Sequence, residues 1–268
     1  MPTPERTAAP AAAAVPSRPA RRAFATLAAK EARAWRRSHA WWSQPAIFTL
    51  LLAGAMALLP LGILRETFAG EPGGVIGGAV SMFMSLGAVA PVFGAIFWFQ
   101  NALVGERQAG TAAWVLSKPV PRWTLPTAKL AVNGGLLVAA SLVVPGTVAY
   151  GVLALETGGP PSLGTFVAGL LVLVLHTAFY AALTLAMGAL TDARGAVLAV
   201  PIAVLLLGDA LVGVAPVLGR VSPWLLGRGA GLVAQGQAFP EPAALLATAT
   251  LTAALIAAAL VRFGRQDL

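Results

Sequence analysis

His176 and Asp209 are the ionisable side chains inside the long apolar stretches of this sequence, and Ser81, Ser85 and Ser141 are hydroxyls that share those stretches. A metal-dependent hydrolase working inside a membrane needs clustered His and Glu to hold the ion and activate water. The apolar stretches carry one His and no Glu. A serine nucleophile needs a base beside it, and the three serines have no candidate in their own stretches. The chain has no cysteine, which excludes thiol chemistry, disulfides and thiolate metal sites and leaves the redox compartment undetermined. No Gly-x-x-x-x-Gly-Lys-[Ser/Thr] phosphate loop occurs, so the chain does not hydrolyse ATP by itself. Polar contact is what remains. The turn from Thr191 to Gly195 joins the stretches that hold His176 and Asp209, and at 1.5 Å per residue both stand ~21–22 Å from it. Opposed on an antiparallel hairpin, the two are expected to hydrogen-bond as packing glue; the alternative is that each snorkels or bonds a backbone carbonyl independently.

The elements that position these groups are membrane helices. Hydrophobic residues make up 58% of the chain and charged residues 10%, against about 25% charged in soluble domains, and the mean hydropathy is +0.80. Stretches near the ~20 residues needed to cross a bilayer fall at about 46–64, 78–104, 130–154, 163–190, 196–217 and 243–262. The expected fold is an all-α integral membrane protein of six transmembrane helices. Fifteen of the 18 Lys and Arg fall before residue 46, between spans two and three, after span four, or at the C-terminus. Cytoplasmic flanks carry such an excess, so both termini are expected in the cytoplasm. The sequence pI of about 11.3 then reflects topology and contact with anionic lipid rather than nucleic-acid binding, for which no module is present.

Residues 1–22 are Ala, Pro, Arg and Ser with almost no large apolar side chain, a composition expected to form a disordered tail and not a secretory signal. Residues 23–42 change to helical period. Phe24, Leu27, Ala28, Ala32, Trp35, His39 and Trp42 fall on one side, with Lys30, Arg33, Arg36 and Arg37 opposite. A basic helix with an aromatic face is expected to lie in the membrane interface. Glu31 lies within the apolar stripe, where an unpaired carboxylate is costly, so it needs a basic partner. Further on, residues 215–242 are too polar to cross and are expected outside the membrane as an extracytoplasmic segment with Trp224 at headgroup depth. Gly134, Gly135, Gly146, Gly169 and Gly188 are expected to serve close helix packing.

Between spans two and three the chain is interrupted from Val104 to Lys129 by 26 residues that carry four basic side chains, Arg107, Lys118, Arg122 and Lys129. Glu106 to Ser117 can form a helix with Ala109, Ala112, Ala113 and Leu116 toward the membrane and Arg107, Gln108 and Thr111 outward. Pro119, Pro121 and Pro126 then stop it. A short rigid helix followed by stiff turns can transmit a push to the spans at either end. The alternative is an ordinary polar connection with a topogenic charge cluster.

The order Gly105-Glu106-Arg107, Gly110-Thr111, Leu116-Ser-Lys-Pro-Val-Pro-Arg122, then Lys129 resembles the loop of type-2 ABC exporter permeases, whose membrane subunits are driven by a separate ATPase. Ala-Lys30-Glu31-Ala-Arg33 is similar to the helix that leads into their first span, and Arg262-Phe-Gly-Arg-Gln-Asp-Leu268 to their basic close. The resemblance covers nearly all of the chain after residue 22; Trp114 and the Ala/Pro tail depart from it. It implies that loop 105–128 holds a coupling helix seated in a nucleotide-binding subunit, with Glu106, Arg107, Gly110, Thr111, Pro119, Arg122 and Lys129 as the coupling residues. It also implies that ATP and Mg are bound by that partner and not by this chain, that a second permease copy or paralogue completes the pathway, and that the complex sits in a bacterial cytoplasmic membrane. A gradient-driven secondary transporter and a non-transporting scaffold share the topology. A neighbouring gene for a phosphate-loop ATPase would separate them from the exporter reading.

Overall fold

The computed structural model describes residues 17–59, 62–71, 73–108, 121–156 and 159–265. Among them the regular structure is helical. The first helix, α1, runs Ser17–Arg37, so residues 17–22, expected in the tail, are helical; residues 1–16 lie outside the described residues. Its stripe of Phe24, Leu27, Ala28, Glu31, Ala32 and Trp35 is half-buried against α6 (Thr124–Val138), while Lys30, Arg33, Arg36 and Arg37 are exposed. The helix ends five residues earlier than the expected Trp42. Ser38 turns its hydroxyl back to the Trp35 carbonyl (2.7 Å) and accepts from the Ala40 N–H (3.2 Å). That local bonding competes with the helical ladder, and His39 and Trp42 leave the stripe as exposed residues.

The apolar stretch expected at 46–64 is not one continuous helix. It forms α2, Ala40–Leu52, then a turn, then a 3-10 segment Ala55–Leu58, with α3 following at Arg65–Phe68. The break falls at Gly54, whose N–H joins that of Ala53 on the Thr49 carbonyl. A Cβ at Gly54 would stand 2.2 Å from the Leu50 oxygen, so only glycine fits there.

Among the described residues, five helical stretches are long and apolar enough to cross a membrane: Gly74–Glu106, Thr124–Leu153, Leu163–Leu190, Arg194–Val214 and Pro242–Gly264. The first contains α4 (Gly74–Phe99) and the start of α5 (Val104–Gln108). The second is α6, a π-helical turn Ala139–Val143, and α7 (Val144–Leu153). Pro145 accounts for that turn: its ring crowds the carbonyl four residues back and supplies no N–H, so the ladder widens around it. The remaining three are α8 (Leu163–Leu190), α9 (Arg194–Val214) and α12 (Pro242–Gly264). Ser162 caps α8 by accepting from the Thr165 N–H at 3.2 Å.

Helix α8 is the centre of the bundle. It packs on α4, α9, α12 and α11 (Leu226–Ala234), and Phe83, Met84, Phe166 and Leu173 are buried along these contacts. Helix α9 is peripheral by comparison, with Val197, Pro201 and Gly208 as its buried residues.

Part of the segment 215–242 is buried within the bundle. After α10 (Val217–Arg220) and a 3-10 turn Pro223–Leu225, α11 enters between α4 and α8. Trp224, expected at headgroup depth, donates its indole N–H to the Val204 carbonyl in the interior of α9 (2.8 Å). Small residues allow this insertion, as helix contacts without a hydrophobic driving force require. A Cβ at Gly169 would meet the Ala230 oxygen at 2.7 Å, and one at Gly227 would meet the Ala88 Cβ at 2.7 Å. Gly236 returns the chain to the surface in a left-handed conformation (φ 81°), with Gln237 N–H on the Leu232 carbonyl and Gly236 N–H on that of Val233. Gly146 fits its expected packing role against Leu170, whereas Gly135 faces open space.

Candidate functional site: a buried charge cluster at the base of the loop

Three separate pieces of sequence meet where the 104–129 interruption joins the bundle. Lys129, on the first turns of α6, is held between Glu106 of α5 (2.8 Å) and Glu31 of α1 (3.1 Å). Its side chain is 8% exposed, and the two carboxylates 12% and 13%. Lys30 covers the group from outside, 3.6 Å from Glu106 and 3.9 Å from Glu31, with half of its side chain in solvent. Asn133, one helical turn beyond Lys129, points its amide at the second oxygen of Glu31 (3.5 Å). The basic partner that Glu31 requires is therefore Lys129, almost a hundred residues away.

Each flank of the loop is tied to a different helix end. Arg122 donates to the Gly264 carbonyl at the end of α12 (3.3 Å), and Arg194 at the start of α9 donates to the Gln108 side chain. Thr124 and Thr127 bond the carbonyls of Pro121 and Trp123 (2.6 and 2.7 Å), which starts α6 at residue 124, inside the stretch expected as loop up to 128. The helix expected over 106–117 is described only in its first turn, within α5. Gly110, Thr111 and Pro119 lie outside the described residues, and Arg33 is exposed on the outer face of α1 without joining the cluster.

Two anions and two cations in one half-buried group are an energetic commitment. Desolvation of each charge costs several kcal/mol, which the mutual attraction offsets only while every partner is present. The arrangement ties α1, α5 and α6 together at this point.

The hydrogen bond expected between His176 and Asp209 does not form. His176 is buried (3% exposed) and places Nδ1 at 3.1 Å from the Pro223 carbonyl and Nε2 at 3.1 Å from that of Ala88. It thus pins the inserted segment to α4 and α8. The equal-depth count along the helix axes had no means of seeing the Pro223 carbonyl, which the segment after Ala215 brings to the ring.

A family model described as ABC-2 family transporter protein matches residues 25–224, from the lead-in helix through the loop to the inserted 3-10 turn. The chain belongs to the ABC-2 transporter family. No curated protein gives a significant match to it. As an ABC-2 family member with five long apolar helices, it is an integral multi-pass membrane protein. The charge cluster sits wholly within the matched region, at the root of the loop that the resemblance had singled out. Asn133 and the Pro223 carbonyl were missed from sequence. Asn133 was legible in principle, one turn from Lys129 on the same face; Pro223 carried no signal.

Proposed function

We propose that this ABC-2 family chain is the permease subunit of an ATP-driven exporter, forming the translocation path and coupling to separate cytosolic ATPase subunits through loop 105–128. The observation that carries the reading is the Glu31–Lys129–Glu106–Lys30 cluster, which joins the lead-in helix to both flanks of the loop. An ordinary polar connection has no need of buried charge at its base, because such charge destabilises when any partner moves away. A loop that receives force and distributes it to three helices does.

In this reading the chain crosses the membrane six times, α2 and its 3-10 continuation forming the first crossing, and both termini are cytoplasmic. The ATPase binds ATP and Mg. Its closure pushes the loop, the cluster carries the displacement to α1 and α6, and Arg122 and Arg194 carry it to α12 and α9. A second permease copy or a paralogue completes the path.

The test is recovery of the solubilised full-length chain from its native cells. An ATPase subunit bearing a phosphate loop is expected to co-purify, and to be lost with Arg122→Ala and with Glu106→Ala while the variants still elute as folded protein. Intact permease recovered in mild detergent with no ATPase would overturn the reading.

A further inference from the structure

The inserted segment brings a second pair of charged side chains to the bundle, beside a cavity. A cavity of about 330 Å³ opens between α4, α8, α9 and α11, lined by Ser85, Tyr180, Leu206, Asp209, Trp224 and Arg228. Such a volume is at the small end of the ~300–1,000 Å³ of ligand sites, enough for a headgroup and not for a whole lipid. Asp209 and Arg228 are both exposed on it. They form no ion pair with each other, and neither takes a side-chain partner among the described residues. Trp224 has spent its N–H on Val204 and serves as a wall.

Charges at membrane depth are costly unless something polar meets them. Asp209 is five residues from the end of α9 at Val214, ~8 Å along the axis at 1.5 Å per residue. With α9 as a membrane span, that level falls inside the leaflet on the side of the inserted segment. The two charges have opposite sign and share one cavity without pairing with each other. A ligand with an ammonium and a phosphate answers both. The mouth of the cavity carries exposed Val89 and Leu206, an apolar rim suited to acyl chains rather than to a soluble zwitterion.

We propose that this cavity binds the headgroup of a zwitterionic, amine-bearing phospholipid, with Asp209 on the ammonium and Arg228 on the phosphate. The site depends on the inserted segment and not on ATP coupling, so it stands or falls separately from the exporter reading.

Native mass spectrometry of the purified full-length chain tests it, with phosphatidylethanolamine, phosphatidylglycerol of the same acyl chains, and a dialkyl quaternary-ammonium amphiphile as probes. Phosphatidylethanolamine is expected to bind at least about tenfold more tightly than phosphatidylglycerol, the ratio that one charge-assisted contact supplies. Asp209→Asn is expected to erase that preference. Arg228→Gln should weaken both phospholipids about tenfold while sparing the cationic amphiphile. Asp209→Glu, which retains the charge, should retain the preference and so exclude a mere folding defect. Equal binding of the two phospholipids by the unaltered chain would overturn the proposal, as would phosphatidylethanolamine binding that both neutral variants leave unchanged. Displacement of the lipid by equimolar soluble phosphoethanolamine would overturn the lipid assignment in favour of a soluble zwitterion. Loss of a dimer in both neutral variants, restored by Asp209→Arg with Arg228→Asp, would assign the two charges to contact between copies and sink the proposal.

Discussion

Lys129 lies almost entirely out of solvent between two carboxylates that come from helices far apart in sequence. Replacing it by Met takes from Glu31 and Glu106 the buried cation they share and leaves half-exposed Lys30 beside them. Breaking a buried ion pair on one side costs about 3–5 kcal/mol, so Lys129→Met is expected to lower stability by that order in a detergent unfolding titration; a change below ~0.5 kcal/mol, the usual surface value, would mean the cluster is solvated. Adding Glu31→Gln and Glu106→Gln to Lys129→Met should recover much of the loss, because the costly state is the uncompensated charge and not the missing bridge. His176 makes a different prediction. Its ring lies 3.1 Å from backbone carbonyls on two other elements, and its single N–H as a neutral imidazole donates to one of them, so His176→Leu should cost about 1–3 kcal/mol. The effects of His176→Leu and Asp209→Leu should add within ~0.5 kcal/mol, as for independent sites. A larger coupling energy would restore the direct pair that the sequence suggested.

At the scale of elements, the least expected is α11 and the turn before it. Its seat depends on Gly169, where a side chain would strike the Ala230 backbone oxygen at 2.7 Å and the Ala234 Cβ at 2.8 Å. Backbone cannot yield as a flexible side chain can, and overpacking of this kind costs about 1–3 kcal/mol. Gly169→Val is therefore expected to lower the thermal stability of the purified protein and to release the inserted segment to protease. A variant with unchanged melting and unchanged proteolysis would show that α11 is not seated on α8. By contrast α1 was readable residue by residue, since its half-buried stripe and exposed basic face follow the 100° period. Its end was not, because Ser38 stops the helix by bonding its own backbone, a choice that periodicity does not register.

For the whole molecule, the distribution of Lys and Arg makes a topological prediction that the absence of cysteine renders simple to check. Ser38→Cys and Gln237→Cys each introduce one exposed thiol into a thiol-free chain. In intact cells a membrane-impermeant maleimide is expected to label Gln237→Cys, and to reach Ser38→Cys only after permeabilisation, as the positive-inside rule requires. The reverse pattern would invert the orientation and remove the loop from the reach of a cytosolic ATPase.

What the sequence determined by itself follows from local quantities. Apolar length marked the long helices, charge asymmetry marked an orientation, and the spacing of Glu106, Gly110-Thr111, Pro119, Arg122 and Lys129 pointed to the family that the match over 25–224 establishes. Tertiary structure alone decided which charges meet and where polar chain goes. Glu31 needed a cation, and four lay nearby on its own helix, yet Lys129 is the one that packing brings to 3.1 Å. Residues 215–242 read as too polar to cross the membrane, and hydropathy, which averages over a segment as if lipid surrounded it, gives no sign that part of it packs inside the bundle. In the bundle, α4 and α8 surround α11 instead, and their small residues, the His176 ring and the Val204 carbonyl meet its backbone and its Trp224 indole. Polar chain is tolerated at membrane depth where protein encloses it, and enclosure is a property of the packed helices together.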